Sequence, residues 1–355
     1  MLEQLRYINF YEPYSGEIST TQETKIRTYR NEINPEKFKN YLKTIKANIL
    51  ENYELNEPIG SGCESIVYKG ILKKNGKLFA LKMILKENSK KKNNKDESII
   101  ISKLKNKNII QHYGFVKINE EIDCIIMEYS PWGNIKIFKR NLKKDILSES
   151  ILCYFAYQIL NGLKYCHSCN VAHLDIKPEN IIVDHLLNIK LIDFSISLDY
   201  SKIKSNTIIL PLRGTSFYIA PEVLFKKCIN TKDLNKVDLY SLGVTLYKLA
   251  FGYYPFGLND LDHYKNLCKK IINADLIIND DEQNYFSSYF VDFLKKILEK
   301  DFTKRININQ ALNHYWIKGA DILLDEKEKI DDINSFLICL NLDFCKTFND
   351  YRGKS

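Results

Sequence analysis

His173-Leu174-Asp175-Ile176-Lys177-Pro178-Glu179-Asn180-Ile181-Ile182 is the stretch on which the reading of this chain turns. Asp175 and Asn180 stand five residues apart with Lys177 between them, and eighteen residues beyond Asp175 comes Asp193-Phe194-Ser195. Mg²⁺ takes hard oxygen ligands and keeps positions open for phosphates, so Asn180 and Asp193 suit it chemically. Asp175 is then left to orient a hydroxyl and accept its proton, while Lys177 balances charge on a group in transit.

Upstream, Ile59 leads into Gly60-Ser61-Gly62-Cys63-Glu64-Ser65-Ile66-Val67, where small residues between two β-like runs let backbone N–H groups approach phosphate oxygens. Twenty-two residues after Gly60, Lys82 sits inside the apolar run Phe79-Ala80-Leu81-Lys82-Met83-Ile84. It reads either as an edge lysine whose stem snorkels or as a cation placed on phosphates. The second reading needs an acid to hold it, and Glu97 on a candidate helix Asp96–Leu104 is available.

The chain has 355 residues, enough for one large two-lobed domain or two ordinary ones. Its 45% hydrophobic and 27% charged residues are ordinary for a globular protein and exclude wholesale disorder. No apolar run approaches the ~18 residues of a membrane span, and Met1-Leu2-Glu3 opens neither a signal peptide nor a myristoylation site. Nine cysteines in a chain of this size point to a reducing compartment, cytoplasmic with the nucleus open, rather than to a disulfide scaffold. The +8 balance permits acidic partners, but the lysine-rich run 86–95 lacks aromatic interleaving and reads as a solvated loop, not a nucleic-acid site.

Short β-like runs and a hairpin signal at Asn75-Gly76 occupy the first third. From about residue 148 the period becomes helical, with Ile151, Leu152, Phe155, Ile159 and Leu163 on one stripe and an almost wholly apolar helix at 237–250. A β-rich beginning before a helix-rich remainder predicts an α+β molecule of two lobes.

In their order and spacing these elements resemble a eukaryotic protein kinase of the serine/threonine branch. The likeness covers residues 53–317 and includes the glycine loop, Lys82, Glu97, the His-x-Asp-x-Lys-x-x-Asn loop and the Asp-Phe-x triplet. It continues through Gly214-Thr215-Ser216-Phe217-Tyr218-Ile219-Ala220-Pro221-Glu222, Asp238-Leu239-Tyr240-Ser241-Leu242-Gly243, Arg305 and His314-Tyr315-Trp316. The resemblance implies a bilobal fold, with an N-lobe at about 53–128, a C-lobe at about 131–317, and extensions at 1–52 and 318–355. It implies ATP with Mg²⁺ or Mn²⁺, transfer to Ser/Thr hydroxyls of protein substrates, and Asp175, Lys177, Lys82 and Glu97 as the catalytic set. Adenine would lie against Val67 and Ala80, with Met127 as gatekeeper and Glu128-Tyr129-Ser130 as hinge. Gly60, Ser61, Gly62, Cys63, Glu64 and Ser65 would cover the phosphates, and Asn180 and Asp193 would take the metal. Arg305 would pair with Glu222.

Several positions depart from the family's pattern. Leu174 replaces the arginine that clamps an activation-loop phosphate, and Pro211 occupies the usual acceptor position. The two absences agree, so the activation segment is expected to order without phosphorylation through packing of Ile208, Ile209 and Leu210, with Thr207 and Ser205 left open as sites that other basic residues could serve. Ser195 and Ser65 stand where glycines are usual and restrict the backbone without removing any reacting group. The competing classes are a kinase-like scaffold without catalysis and a dual-specificity enzyme. In arginine-directed kinases three acids read the substrate; here the corresponding residues are Asn134, Glu179 and Lys248, so upstream arginine selection is not expected.

Cys166-His167-Ser168-Cys169 has zinc-ligand spacing but no second pair to complete a site, and reads as a helix end. A candidate helix at 35–51 and a stripe Ile333, Phe336, Leu337, Leu340 and Phe344 either pack on the domain or dock a regulatory partner.

Overall fold

The computed structural model describes residues 51–62, 65–85, 95–143, 145–258, 264–279 and 285–329. The candidate helix at 35–51 (save its last residue), the stripe from Ile333 to Phe344, residues 86–94 of the lysine-rich run, Cys63 and Glu64 lie outside the described residues.

β1 (Tyr53–Ser61), β2 (Ser65–Leu72), β3 (Leu78–Leu85), β4 (His112–Lys117) and β5 (Ile122–Glu128) form one antiparallel sheet in the order β1-β2-β3-β5-β4. Both faces of β3 are covered, which is why its sequence is apolar throughout rather than alternating. The period of two still sorts its side chains. Phe79, Leu81 and Met83 join Ile66, Tyr68, Ile122, Cys124 and Ile126 on the outer face. Ala80 and Ile84 turn the other way, into a core continuous with the second lobe. Lys82 shares their parity, so the sheet's inner face receives its stem. α1 (Lys95–Lys103) lies between β3 and β4 in sequence and puts Ile100 and Ile101 into that same core.

The second lobe is built on two long helices, α3 (Glu149–Ser168) and α5 (Leu234–Phe251), which pack on each other. α5 is buried nearly all round, as its apolar sequence requires. Gly243 permits the approach of α7 (Ser288–Ile297), since a Cβ there would sit 2.8 Å from Leu298 and 2.9 Å from Ile297. The shorter elements are α2 (Ile135–Asn141), α4 (Pro221–Leu224), α6 (Tyr264–Asn273), α8 (Ile308–Leu312) and α9 (Tyr315–Lys329). Three two-stranded ribbons complete the lobe: β6 (Val171–Ala172) with β9 (Leu198–Asp199), β7 (Ile181–Val183) with β8 (Ile189–Leu191), and β10 (Thr207–Ile209) with β11 (Cys228–Asn230).

The molecule is therefore a bilobal α+β fold. The expected boundary at 317 falls inside α9, whose Trp316, Ile317, Ala320 and Leu323 are all buried. Trp316 donates its indole N–H to Glu149 at 2.9 Å and packs on Phe290 and Phe293, so the helix is fastened to α3 and α7. No helix among the described residues is long and apolar enough to cross a membrane.

Candidate active site

The segment from His173 to Asn180 is held from beneath by α5. Asp238 accepts hydrogen bonds from the backbone N–H of His173 (3.0 Å) and of Leu174 (2.7 Å), and its Oδ2 lies 2.7 Å from His167 Nε2. Burial pushes the Asp238 carboxyl up, but the His167 ring and the Leu174 N–H outweigh it and hold the group below the usual carboxylate range. Two turns further on, Thr245 Oγ1 donates to the Ile176 carbonyl at 3.3 Å. With these anchors Leu174 is kept at φ 66°, a left-handed conformation costly for a branched side chain. The His173 ring packs 4.7 Å from Phe194, and its Nε2 lies 2.9 Å from the Ile192 carbonyl.

This scaffold presents a carboxylate surrounded by donors. Asp175 Oδ2 receives Lys177 Nζ at 2.6 Å and Asn180 Nδ2 at 2.8 Å, while Oδ1 receives the Thr215 N–H at 3.2 Å and its hydroxyl at 3.1 Å. Lys177 Nζ also donates to Thr215 Oγ1 at 2.7 Å. Gly214 makes the approach possible: at φ 104° its backbone passes so close that a Cβ would lie 3.1 Å from the Leu174 carbonyl. Thr215 and Asp238 therefore belong to the site, although neither was among the residues singled out for it.

Lys82 faces this carboxylate from the other lobe. Its Nζ reaches Glu97 Oε1 and Oε2 at 2.8 and 3.0 Å, and Asp193 Oδ1 at 2.8 Å. Desolvation works against all these charges, yet mutual attraction wins, so the lysine pKa is raised and the Asp193 carboxyl is strongly depressed. The Ser195 side chain adds a hydrogen bond to Asp193 in the same sense. Asp193 itself sits at φ 61°, a second strained residue in the same few ångströms of backbone.

Register explains the upper wall. Gly60 pairs with Val67, Val67 with Lys82, and Ala80 with Met127, so Gly60, Val67, Ala80, Lys82 and Met127 share the inner face of the sheet. Gly62 N–H bonds the Ser65 carbonyl at 2.7 Å and closes the glycine turn. Ile59 packs against the core beside Val67. In the expected hinge, the Glu128 carboxylate takes the Gln111 N–H at 2.8 Å and Lys190 at 3.0 Å, and Ser130 Oγ donates to the Val183 carbonyl at 2.5 Å. Those two side chains fasten the lobes together. Tyr129 lies under Lys69 Nζ, 5.6 Å from the ring centroid.

The donor set fits Mg²⁺. Asn180 spends its Nδ2 on the Asp175 carbonyl (2.9 Å) and carboxylate, which leaves Oδ1 as its hard oxygen, and Asp193 is ionised.

Beyond Asp193 the segment is tied by backbone bonds: β9 to β6, and β10 to β11 with Ile208 opposite the fully buried Ile229. Leu210 is buried and Ile208 half-buried, but Ile209 is 58% exposed. The expected packing of all three is corrected here, because strand alternation sends the middle residue outward. Arg305 meets Glu222 through two bonds of 2.7 and 3.0 Å, both side chains fully buried. His167, in the cysteine pair's interval, is committed to Asp238, and burial first of all raises the Cys166 thiol well above its ordinary pKa.

Against known proteins, the protein kinase domain family matches residues 53–317. The chain belongs to the protein kinase family. It is 32% identical over 275 residues to myosin light chain kinase A of Dictyostelium discoideum, covering 75% of this chain and 88% of that protein. It is 30% identical to CBL-interacting protein kinase 11 of Oryza sativa subsp. japonica, over 76% of this chain and 52% of that one. A probable serine/threonine-protein kinase, fhkA of Dictyostelium discoideum, is 32% identical over 78% of this chain and 51% of its own length. This kinase thus spans about half the length of two of these relatives.

Proposed function

We propose that this kinase transfers the γ-phosphate of Mg-ATP to serine or threonine hydroxyls of proteins, with Asp175 as the residue that orients the acceptor. The observation that carries this reading is the Asp175 carboxylate, bonded by Lys177, Asn180 and Thr215 and facing the Lys82–Glu97–Asp193 array across the cleft. Adenine would lie against Val67 and Ala80 beside Met127, with the backbone of Glu128-Tyr129-Ser130 reading its edge. Lys82, held by Glu97, would set the α- and β-phosphates, and the glycine turn around Gly60, Ser61, Gly62 and Ser65 would cover them. Asn180 Oδ1 and Asp193 would hold Mg²⁺, which supplies charge neutralisation on the phosphates. Asp175 would take the hydroxyl proton, and Lys177 would face the moving phosphoryl group. Serine or threonine as acceptor is favoured by Lys177 and Gly214-Thr215, which resemble the serine/threonine branch, and by relatives named as serine/threonine kinases.

We further propose that the activation segment needs no phosphate. The β10–β11 ladder and buried Leu210 give it order from the chain itself. A regulatory partner is proposed with it, since the rice relative is named for one.

The deciding experiment is transfer from labelled ATP to mixed protein substrates by phosphatase-treated protein beside Asp175→Asn. Transfer that falls about a hundredfold or more in the variant supports both readings. Equal background from both folded proteins would overturn the first, and activity lost on phosphatase treatment alone would overturn the second.

A further inference from the structure

We infer that the substrate groove is selective for anionic side chains flanking the acceptor, and that Lys248 and Lys136 read them. The inference rests on the kinase reading of Asp175. Lys248 lies three residues after Thr245 on α5, and Thr245 bonds the carbonyl of Ile176, next to Asp175. On a helix that step is one turn, ~4.5 Å along the axis and on the same face. The ammonium of Lys248 sits 4.1 Å from the centroid of the Tyr254 ring. Tyr254 in turn stacks on Phe217 at 4.7 Å, in the stretch that follows Thr215. The cation is thus fixed by an aromatic face, which leaves its charge uncancelled, and it has no carboxylate within ion-pair distance among the described residues.

On the other side of the loop a lysine offsets the one acid that the loop turns outward. Glu179, half-buried, pairs at 3.7 Å with Lys136 on α2, which is itself 48% exposed. α2 packs against the turn Pro178–Asn180 and carries Lys136, Lys139 and Arg140 with no acid. Asn134, ahead of it, is occupied as the helix cap, its Oδ1 accepting the Ile137 N–H at 2.9 Å. An extended peptide advances ~3.3 Å per residue, so residues within about four of the acceptor pass these two lysines. A carboxylate or a phosphate there meets a complementary field; an arginine meets repulsion.

The test uses serine peptides matched in length whose flanking positions carry glutamate, phosphoserine, alanine or arginine, with the full chain and its Lys248→Glu, Lys248→Gln and Lys136→Glu variants. Melting temperatures confirm that each variant is folded. Wild type is expected to favour the anionic peptides over the arginine ones by about tenfold or more in kcat/KM, less so as salt rises. Lys248→Glu should raise KM for the anionic peptides about tenfold at similar kcat and improve the arginine peptides, with Lys248→Gln between. A gain confined to phosphoserine assigns the site to phosphate, and a gain shared with glutamate assigns it to anions generally. Brisk transfer to alanine peptides with no anionic preference, or a preference unmoved in every variant, would overturn this inference while leaving the kinase reading intact. Absence of transfer to any peptide or protein would overturn both.

Discussion

Leu174 and Pro211 line one cavity beneath the activation segment, together with Ile196, Leu198 and Val223. A position that would present a cation and a position that would present a phosphate have both become apolar, and they meet in space as well as in pattern. Arg213 is the charged residue that also lines this cavity, and on the proposal made above the segment takes its order from elsewhere. The register of Thr207, Ile208 and Ile209 against Asn230, Ile229 and Cys228 supplies it.

Hydrogen exchange measures that order directly. In phosphatase-treated protein the amides of residues 207–209 and 228–230 that face each other should exchange on the order of a hundredfold slower than in an unstructured chain. Exchange at the unstructured rate in both strands would show that the ribbon does not hold the segment.

Arg305 and Glu222 give the second prediction. Both are fully buried and doubly bonded, and the guanidinium also lies 4.9 Å from the Tyr240 ring centroid. Removing one partner strands the other charge, so Arg305→Met or Glu222→Leu should each cost about 3–5 kcal/mol. The double variant should recover at least about 1 kcal/mol of the summed loss, because two apolar groups replace a pair that had to be desolvated. Chemical denaturation of the four proteins decides it, and additive losses would mean that the charges do not act as a pair.

Much of the site was legible because it is written in short spacings. Lys82 sits at the centre of an apolar strand, and Asp175, Lys177 and Asn180 fall within one loop, so residue type and interval suffice. Thr215 reaches Asp175 across 40 residues, and Asp238 reaches His173 across 65, and nothing local in either segment names its partner. The same limit affected Ile209. Three apolar residues in a row look like one packing unit until β11 defines a strand, and then alternation turns the middle one to solvent. Beyond the expected end at residue 317, Ala320 and Leu323 continue the buried stripe of Trp316 on α9, a contact that no motif spells out.

Asp238 makes a pH prediction with a definite sign. Its folded pKa is depressed, so its ionised form contributes stability that is full above about pH 5, beyond the unfolded value near 3.9, and is lost as pH falls toward the folded value. Asp238→Asn weakens the bonds to His167, His173 and Leu174 and should cost about 2–3 kcal/mol at neutral pH. The gap to wild type should narrow steadily between about pH 5 and pH 3. A gap that stays constant over that range would mean that the carboxylate's charge is not what holds the loop.

Thr215 separates positioning from packing. Its hydroxyl accepts from Lys177 and donates to Asp175, so one side chain sets the distance between the group proposed to take the proton and the cation beside it. Thr215→Val keeps the volume and removes both bonds. A positioned general base is worth about 10²–10⁴-fold in all, and loosening rather than deleting it should lower kcat by about 10- to 100-fold. KM for ATP should change by no more than about threefold, because the proposed nucleotide contacts lie on Lys82 and the sheet. Thr215→Ser restores the hydroxyl and should return kcat to within about threefold of wild type. Steady-state kinetics on the three proteins distinguishes the outcomes. A valine variant with wild-type kcat would show that Asp175 is held well enough by Asn180, Lys177 and the backbone N–H of residue 215, and equal losses in the valine and serine variants would place the effect in packing.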